Sequence, residues 1–347
     1  MISKLKKAFS DPRKAAGYLL KYFAKYFLRN SPPVCNAAMR EVAILSDGSV
    51  TTCCLDAKGE NRYGNICDNT FDQIWKKGFK RFRKRNLYDS SICITCINGK
   101  SQFSPKLISN KKERELWSKD EIPYPRSAVL EISGICNYAC SGCFTNELGK
   151  YRKAFYDFNQ GKDNLKDLLT KIQRLRLYNW GEPLVHKEFP EILTWIRKTA
   201  PDLQIDIATN GMLLNEKNIQ AIVNNQVNKV IISVHGGPGT ENMLKYSNRN
   251  ADYDKLLINI ESLISFRNKT GSKFPFVSLK AVLFEWNDTD ELMEQLRKDG
   301  KKAGVDRVFW VLDMENGLTS RASNRFKRGT EALKQLVAKG ELDGYSK

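Results

Sequence analysis

The sequence predicts an α/β fold, a partial (β/α)6 TIM-like barrel with a small cysteine-rich domain on its N-terminal side. Between residues 127 and 316, short β-branched runs alternate six times with longer amphipathic stretches. Six strand-plus-helix units imply parallel pairing through right-handed crossovers, and they fall short of the eight of a closed barrel. Six of the nine cysteines precede residue 110, in turn-rich sequence, and the other three crowd into one loop directly after the first barrel strand.

Residues 1–31 read as an amphipathic helix. Asp11 caps it, Pro12 suits the first helical position, and Ala16, Leu19, Leu20, Phe23 and Phe27 recur at helical spacing. Lys14, Lys21, Lys25 and Arg29 fall mostly off that stripe, so the helix either lies on an anionic membrane surface or packs on the protein's own body. Ser31-Pro32-Pro33 ends it. Over 32–110 the extended runs 41–45 and 49–52 flank Asp47-Gly48 as a hairpin. A charged linker, 111–126, leads through Pro123 and Pro125 into the barrel. Its strands are expected at 128–133, 176–179, 204–208, 229–234, 276–283 and 307–312, with helices at 165–175, 189–199, 216–227, 253–266 and 289–301. A helical tail, 317–347, follows. In such a barrel the chemistry collects at the C-terminal strand ends.

The 347 residues carry a net charge of +18, with eight Lys/Arg against Asp11 alone in the first thirty and seven more basic groups from Lys76 to Arg85. This balance favours anionic partners. The basic run holds Phe79 and Phe82 and raises nucleic acid as a partner, but it reads better as a solvated helix face, and no RNA-binding module accompanies it. Nine cysteines are too few for a secreted disulfide scaffold, so metal or redox use in the cytoplasm is expected. No signal peptide is expected, because Lys4, Lys6 and Lys7 precede no clean apolar run. The stretch 16–28 is thirteen residues long and contains Lys21 and Lys25, too short and too charged to span a bilayer. Contact at the inner face of the membrane would be peripheral.

The loop from Gly134 to Cys143 reads Gly-Ile-Cys-Asn-Tyr-Ala-Cys-Ser-Gly-Cys. Three thiolates, Cys136, Cys140 and Cys143, suit three irons of a cubane and leave one iron for a ligand's amino and carboxylate groups; a zinc site short of a ligand is the alternative. With Tyr178-Asn179-Trp180-Gly181-Glu182-Pro183 at the end of the second strand, the sequence resembles the radical S-adenosylmethionine (SAM) superfamily from about Ser127 to Asn316. That resemblance implies a 4Fe-4S cluster bound with SAM, which is cleaved to a 5′-deoxyadenosyl radical. It implies that Gly181, Glu182 and Pro183 receive the methionyl amino group. Thr209-Asn210-Gly211 and Ser233 fall at positions contacting SAM's ribose or methionyl part, with Lys280 and Asn287 as further candidates. Gly142 departs from the family, which usually has an aromatic there, so adenine packing falls to Tyr138 or Phe144.

Cys35, Gly48, Cys53 and the pair Cys93 and Cys96, with Gly64-Asn65-Ile66 and Trp75, resemble the SPASM/Twitch auxiliary-cluster module, here placed before the barrel. The resemblance implies one auxiliary 4Fe-4S cluster on Cys35, Cys53, Cys93 and Cys96. A four-cysteine zinc knot is the alternative, and Cys54 competes with Cys53 as ligand. Complete ligation would make the cluster an electron relay and favour net oxidation. Cys54 or Cys67 as hydrogen-atom donor would favour epimerisation. His186 belongs to a helix start and His235 is a candidate base; Glu285, Trp310, Asp313 and Glu315 are expected near the barrel mouth. The expected reaction is hydrogen abstraction from a small polar substrate, a sugar or polyol, phosphorylated or lipid-linked. The reductant is a flavodoxin or ferredoxin. A peptide maturase, a nucleic-acid binder with structural metal sites and a noncatalytic electron carrier are the competing readings.

Overall fold

The computed structural model describes residues 35–78, 90, 92–93, 115, 124–148, 153–312, 322–327 and 329–342. The expected N-terminal helix, the basic run beyond Gly78, most of the linker, Cys96, Asp313 and Glu315 lie outside the described residues. Helix α1 (Asn36–Arg40) leads into β1 (Glu41–Ile44), and β1 pairs antiparallel with β2 (Ser49–Thr51). Asp47-Gly48 makes the turn, with Gly48 at a φ of 81° and Asp47 accepting from Ser49 N at 3.0 Å. β3 (Gly64–Asn65) adds to β2, and α2 (Phe71–Gln73) continues as a π-helical turn, Ile74–Gly78.

The barrel strands β4 (Ser127–Leu130), β5 (Arg174–Arg176), β6 (Gln204–Thr209), β7 (Lys229–Ser233), β8 (Phe276–Leu283) and β9 (Arg307–Leu312) are parallel and adjacent in chain order. The short α3 (Thr145–Leu148) follows β4, and the covering helices are α4 (Phe158–Lys171), α5 (Phe189–Thr199), α6 (Glu216–Asn224), α7 (Thr240–Ser247), α8 (Tyr253–Lys269) and α9 (Asp290–Lys302), with α10 (Glu331–Ala338) near the end. The sheet does not stop at β4. β1 pairs with it in parallel, Glu41 opposite Ser127 through Ile44 opposite Leu130, so the cysteine-rich segment continues the barrel sheet in the order β3-β2-β1-β4-β5-β6-β7-β8-β9.

Alternation along the strands gives each face its character. Val42, Ile44, Ala128, Leu130, Leu175, Ile205, Ile207, Val230, Ile232, Val277 and Leu279 share the core with the helices. The intervening positions carry Glu41, Arg174, Arg176, Asp206, Lys229, Lys280 and Arg307, and some pair across strands, Arg176 with Glu41 at 2.6 Å and Arg174 with Asp206 at 3.6 Å.

Three expectations need correction. The helix expected at 165–175 starts at Phe158, where Asp157 caps it by accepting from Gln160 N, and it ends at Lys171. Leu175 is therefore strand, and β5 lies ahead of the expected 176–179. Trp310 does not line the mouth. Its side chain is 1% exposed and faces the helices under the Arg297 guanidinium of α9 at 4.7 Å, and its backbone N–H donates to Glu341 O at 2.8 Å. Helix α7 was not foreseen, because Gly236, Gly237 and Gly239, all at positive φ, mask its start. Among the described residues no helix is long and apolar enough to cross a membrane.

Candidate active site

After β4 the chain turns through Ser133 and Gly134 into the cysteine loop. Cys136 Sγ accepts the Tyr138 N–H at 3.3 Å and the Asn210 Nδ2 at 3.7 Å. Burial pushes the Cys136 thiol up to about 12 against the Tyr138 N–H, and the charges of Glu182 and Cys143 add to the rise. Gly142 has a φ of 78°, a left-handed conformation that an aromatic residue would adopt only with strain. Cys143 N then bonds Cys140 O, and Cys143 Sγ lies 2.9 Å from Thr145 Oγ1.

The segment Tyr246 to Asn250 clasps this loop by its backbone. Ala139 N and Ser141 N donate to Ser247 O and Tyr246 O at 3.1 and 2.9 Å. Asn248 Nδ2 and Asn250 Nδ2 donate to Ala139 O and Asn137 O, both at 2.6 Å. Both asparagines are left-handed, at φ 62° and 59°, the conformation Asn tolerates at helix ends and turns. Two asparagines just past a helix were the available signal, and sequence reasoning passed over them.

Gly181 lets the second motif approach the first: a Cβ there would lie 2.0 Å from Ser133 O. Glu182 N donates to Ile135 O at 2.9 Å, one residue before Cys136. The Glu182 carboxylate, 3% exposed, accepts Leu184 N at 3.1 Å and Thr209 Oγ1 at 2.8 Å on Oε1, and Asn210 N at 2.7 Å on Oε2. Burial outweighs those donors and raises its pKa to about 7. Pro183 opens the 3-10 turn Pro183–Val185. Asn210 Nδ2 also donates to Asn137 Oδ1 at 2.7 Å. Cys136, Glu182 and Asn210 thus form one constellation, with acceptor capacity remaining on Oε2.

At the next strands Ser233 pairs in register with Lys280, and His235 stands beside them. Its ring meets Tyr246 edge-on at 5.4 Å; burial, then the Lys280 charge, hold it well below the usual imidazole range. Tyr138 is buried at 7% exposure, whereas Phe144 is 40% exposed and meets Trp180 edge-on at 4.9 Å. Asn287 spends its side chain on the backbone of Phe284 and Val282. His186 bridges Tyr156 O and Glu188 N, a structural role. Glu285 accepts from Asn324 Nδ2 at 3.2 Å.

The second cysteine set gathers beside the β1–β2 hairpin. Burial pushes the Cys53 thiol up, and the charges of Cys54, Cys35 and Cys93 add to it; Cys93 likewise feels Cys35. Asn61 Nδ2 reaches Cys93 Sγ at 4.0 Å and Ser90 Oγ at 3.1 Å. The Cys54 thiol instead sits beside Arg176 and Glu41, and its carbonyl accepts Trp180 Nε1 at 3.1 Å. Of the two adjacent thiols, Cys53 is the one with the charges of Cys35 and Cys93 among the causes of its rise. Cys67 lies among Asp157, Lys153, Asp68 and Asp47. No three His, Cys, Asp or Glu among the described residues are drawn together closely enough to hold a single ion.

Both donor sets fit iron-sulfur ligation. Burial raises the Cys136, Cys35, Cys53 and Cys93 thiols, so a bound cation would favour their thiolates, and N–H donors already point at Cys136 Sγ. Residues 130–277 match the family model described as Radical SAM superfamily, and residues 35–97 match SPASM, an iron-sulfur cluster-binding domain. The chain belongs to the radical SAM superfamily. As a radical SAM enzyme it uses SAM and a 4Fe-4S cluster, with an auxiliary cluster in the N-terminal SPASM module. No curated protein sequence matches it. Among solved structures, this radical SAM chain is similar to Streptococcus suis SuiB bound to precursor peptide SuiA, at 16% identity and a TM-score of 0.43, over 58% of this chain and 42% of that one. It is also similar to Streptococcus suis SuiB bound to S-adenosylmethionine, at 14% identity and 0.49, over 89% and 69%. A third is anSMEcpe with bound AdoMet and Cp18Cys peptide, at 15% identity and 0.40, over 53% and 50%.

Proposed function

We propose that this enzyme cleaves SAM reductively and uses the radical to remove a carbon-bound hydrogen from a peptide or protein side chain. The observation that carries the SAM half is the constellation of Cys136, Asn210 and Glu182, held by hydrogen bonds of 2.7 to 3.7 Å at the C-terminal ends of β4, β5 and β6. When bound, the cluster on Cys136, Cys140 and Cys143 supplies one electron to the SAM sulfonium, with methionine and a 5′-deoxyadenosyl radical as products. Glu182 Oε2 accepts from the methionyl ammonium, and Gly181 and Pro183 fix that carboxylate in place. Phe144 packs against adenine, since its face is open while Tyr138 is committed to the core. Asn210, Ser233 and Lys280 complete the SAM contacts. Cys35, Cys53, Cys93 and Cys96 would hold the auxiliary cluster, and four thiolates would suit it to electron relay and net oxidation rather than to binding substrate.

The apolar rim favours a peptide. Phe144 and Phe155 are 40% and 37% exposed beside the end of β4, where Phe155 bridges Ser133, and exposed aromatics at a mouth suit an apolar side chain better than a polyol. The second reading, a small polar metabolite carrying phosphate, is favoured by the lysines and arginines on the inner strand face and by the net charge of +18. His235, held neutral, is a hydrogen-bond acceptor for substrate in either reading. The basic surface also suits an acidic flavodoxin or ferredoxin as electron donor. Anaerobic reconstitution with dithionite and SAM should yield 5′-deoxyadenosine; its absence from iron-replete protein sinks the proposal. A rise above that basal yield with peptides, and none with sugar phosphates, decides between the substrates.

A further inference from the structure

Trp180 is gripped on four sides, and each contact leads to a different part of the site. Its backbone N–H donates to Glu131 Oε1 at 3.1 Å, and Glu131 Oε2 accepts Ser46 N, just past β1, at 3.1 Å. Its carbonyl accepts Thr145 Oγ1 at 2.7 Å, and that hydroxyl lies 2.9 Å from Cys143 Sγ. Its indole N–H donates to Cys54 O at 3.1 Å. Cys54 is peptide-bonded to Cys53, a member of the second cysteine set. The indole edge meets Phe144, and the chain runs on directly into Gly181 and Glu182. One residue therefore links the carboxylate motif to both cysteine sets, through the Thr145 hydroxyl on one side and the Cys54 carbonyl on the other.

We propose that Trp180 is a positioning residue that couples the two sites, so that filling the site of Cys35, Cys53 and Cys93 strengthens SAM binding at Glu182. Ligation of Cys53 fixes the Cys54 carbonyl. That carbonyl fixes the indole, and the indole sets the backbone that carries Glu182. The inference rests on the SAM reading given above. Coupling of this kind is reciprocal, so SAM must in turn help to retain the auxiliary metal. Because a single hydrogen bond transmits it, the coupling should be about fivefold in affinity.

Packing alone would also require a tryptophan here, and a double-mutant cycle separates the two roles. SAM dissociation constants are measured by equilibrium dialysis on anaerobically reconstituted wild type, Trp180→Phe, Cys53→Ser with Cys93→Ser, and the combined variant. Trp180→Phe keeps an aromatic ring but removes the indole N–H together with the second ring, so the comparison with the cysteine variants, rather than the single change, isolates the coupling. Each change should weaken SAM about fivefold, and the combination no further. Effects that multiply, or wild-type affinity in Trp180→Phe, overturn the coupling. As a second measurement, SAM should slow loss of the auxiliary iron to a chelator in wild type and not in Trp180→Phe; equal protection in both overturns it. Wild type that holds iron and binds no SAM overturns the SAM reading and the coupling with it, whereas SAM binding with multiplying effects overturns the coupling alone.

Discussion

The first cysteine set occupies eight consecutive residues, Cys136 to Cys143, while the second is drawn from positions as far apart as Cys35 and Cys96. The short loop has little secondary structure and is held from outside, by the Tyr246 to Asn250 clasp on one side and by Trp180 and Asn210 on the other. Two members of the scattered set, Cys35 and Cys53, are brought level by strand pairing. With Ala43 opposite Thr51, the hairpin brings the start of β1, preceded by Cys35, level with Cys53 just past β2. A local motif thus depends on distant residues for its shape, and a dispersed one depends on a simple local hairpin.

The largest test of this contrast replaces one thiol in each set. Cys136→Ala, Cys140→Ala or Cys143→Ala should abolish 5′-deoxyadenosine formation, with iron falling from about eight to about four per chain. Cys53→Ala should lose as much iron and keep measurable SAM cleavage. Equal loss of cleavage in both would mean that the sets act as one centre.

Glu182→Gln comes next. Removing a charged acceptor should weaken SAM about 10- to 100-fold in equilibrium binding. The carboxyl pKa of about 7 adds a pH signature. Ammonium binding needs the carboxylate, so SAM affinity should drop as pH falls through about 7. The SAM-free protein should do the opposite: a raised acid favours the folded state while protonated, so stability present at low pH is lost as pH rises through about 7. Glu182→Gln should flatten both curves. Gly181→Ala, forcing a Cβ to 2.0 Å from Ser133 O, should lower thermal stability by about 1–3 kcal/mol and weaken SAM in parallel. Asn250→Ala, removing one clasp bond, should cost about 1 kcal/mol and show as faster iron loss from the first set.

Legibility followed locality. Strands 276–283 and 307–312 and helix 189–199 coincide with their expected limits, because each carries a full period of its own apolar pattern. The constellation of Cys136, Glu182 and Asn210 was also legible, since strand ends of a parallel barrel converge. β1 was read as a hairpin strand but not as a neighbour of β4, because its four residues say nothing of a partner more than eighty positions away. The clasp and Trp180 are illegible for a related reason: each of their bonds ends on a main-chain group, so the residue type of at least one partner carries no mark of it. Trp310 misled because a large aromatic at a strand end resembles a substrate contact, whereas α9 and the C-terminal segment cover it.

The smallest expected effect is the most discriminating within the second set. Cys53 and Cys54 lie in the bend and turn that follow β2, where Asp56 N donates to Cys53 O at 3.1 Å, and of the two thiols it is Cys53 that has Cys35 and Cys93 among its electrostatic neighbours. The Cys53 thiol feels those two cysteines, while the Cys54 thiol feels Arg176 and Glu41. What Cys54 gives the site is its carbonyl, the acceptor for Trp180 Nε1, and a carbonyl survives any side-chain replacement. Cys54→Ala should therefore keep the wild-type iron content and SAM affinity, with a stability change below about 1 kcal/mol from the small volume lost. Cys53→Ala, one position away, should lose the auxiliary iron. If Cys54→Ala loses iron instead, the two thiols exchange roles, and the turn after β2 presents Cys54 rather than Cys53 to the metal.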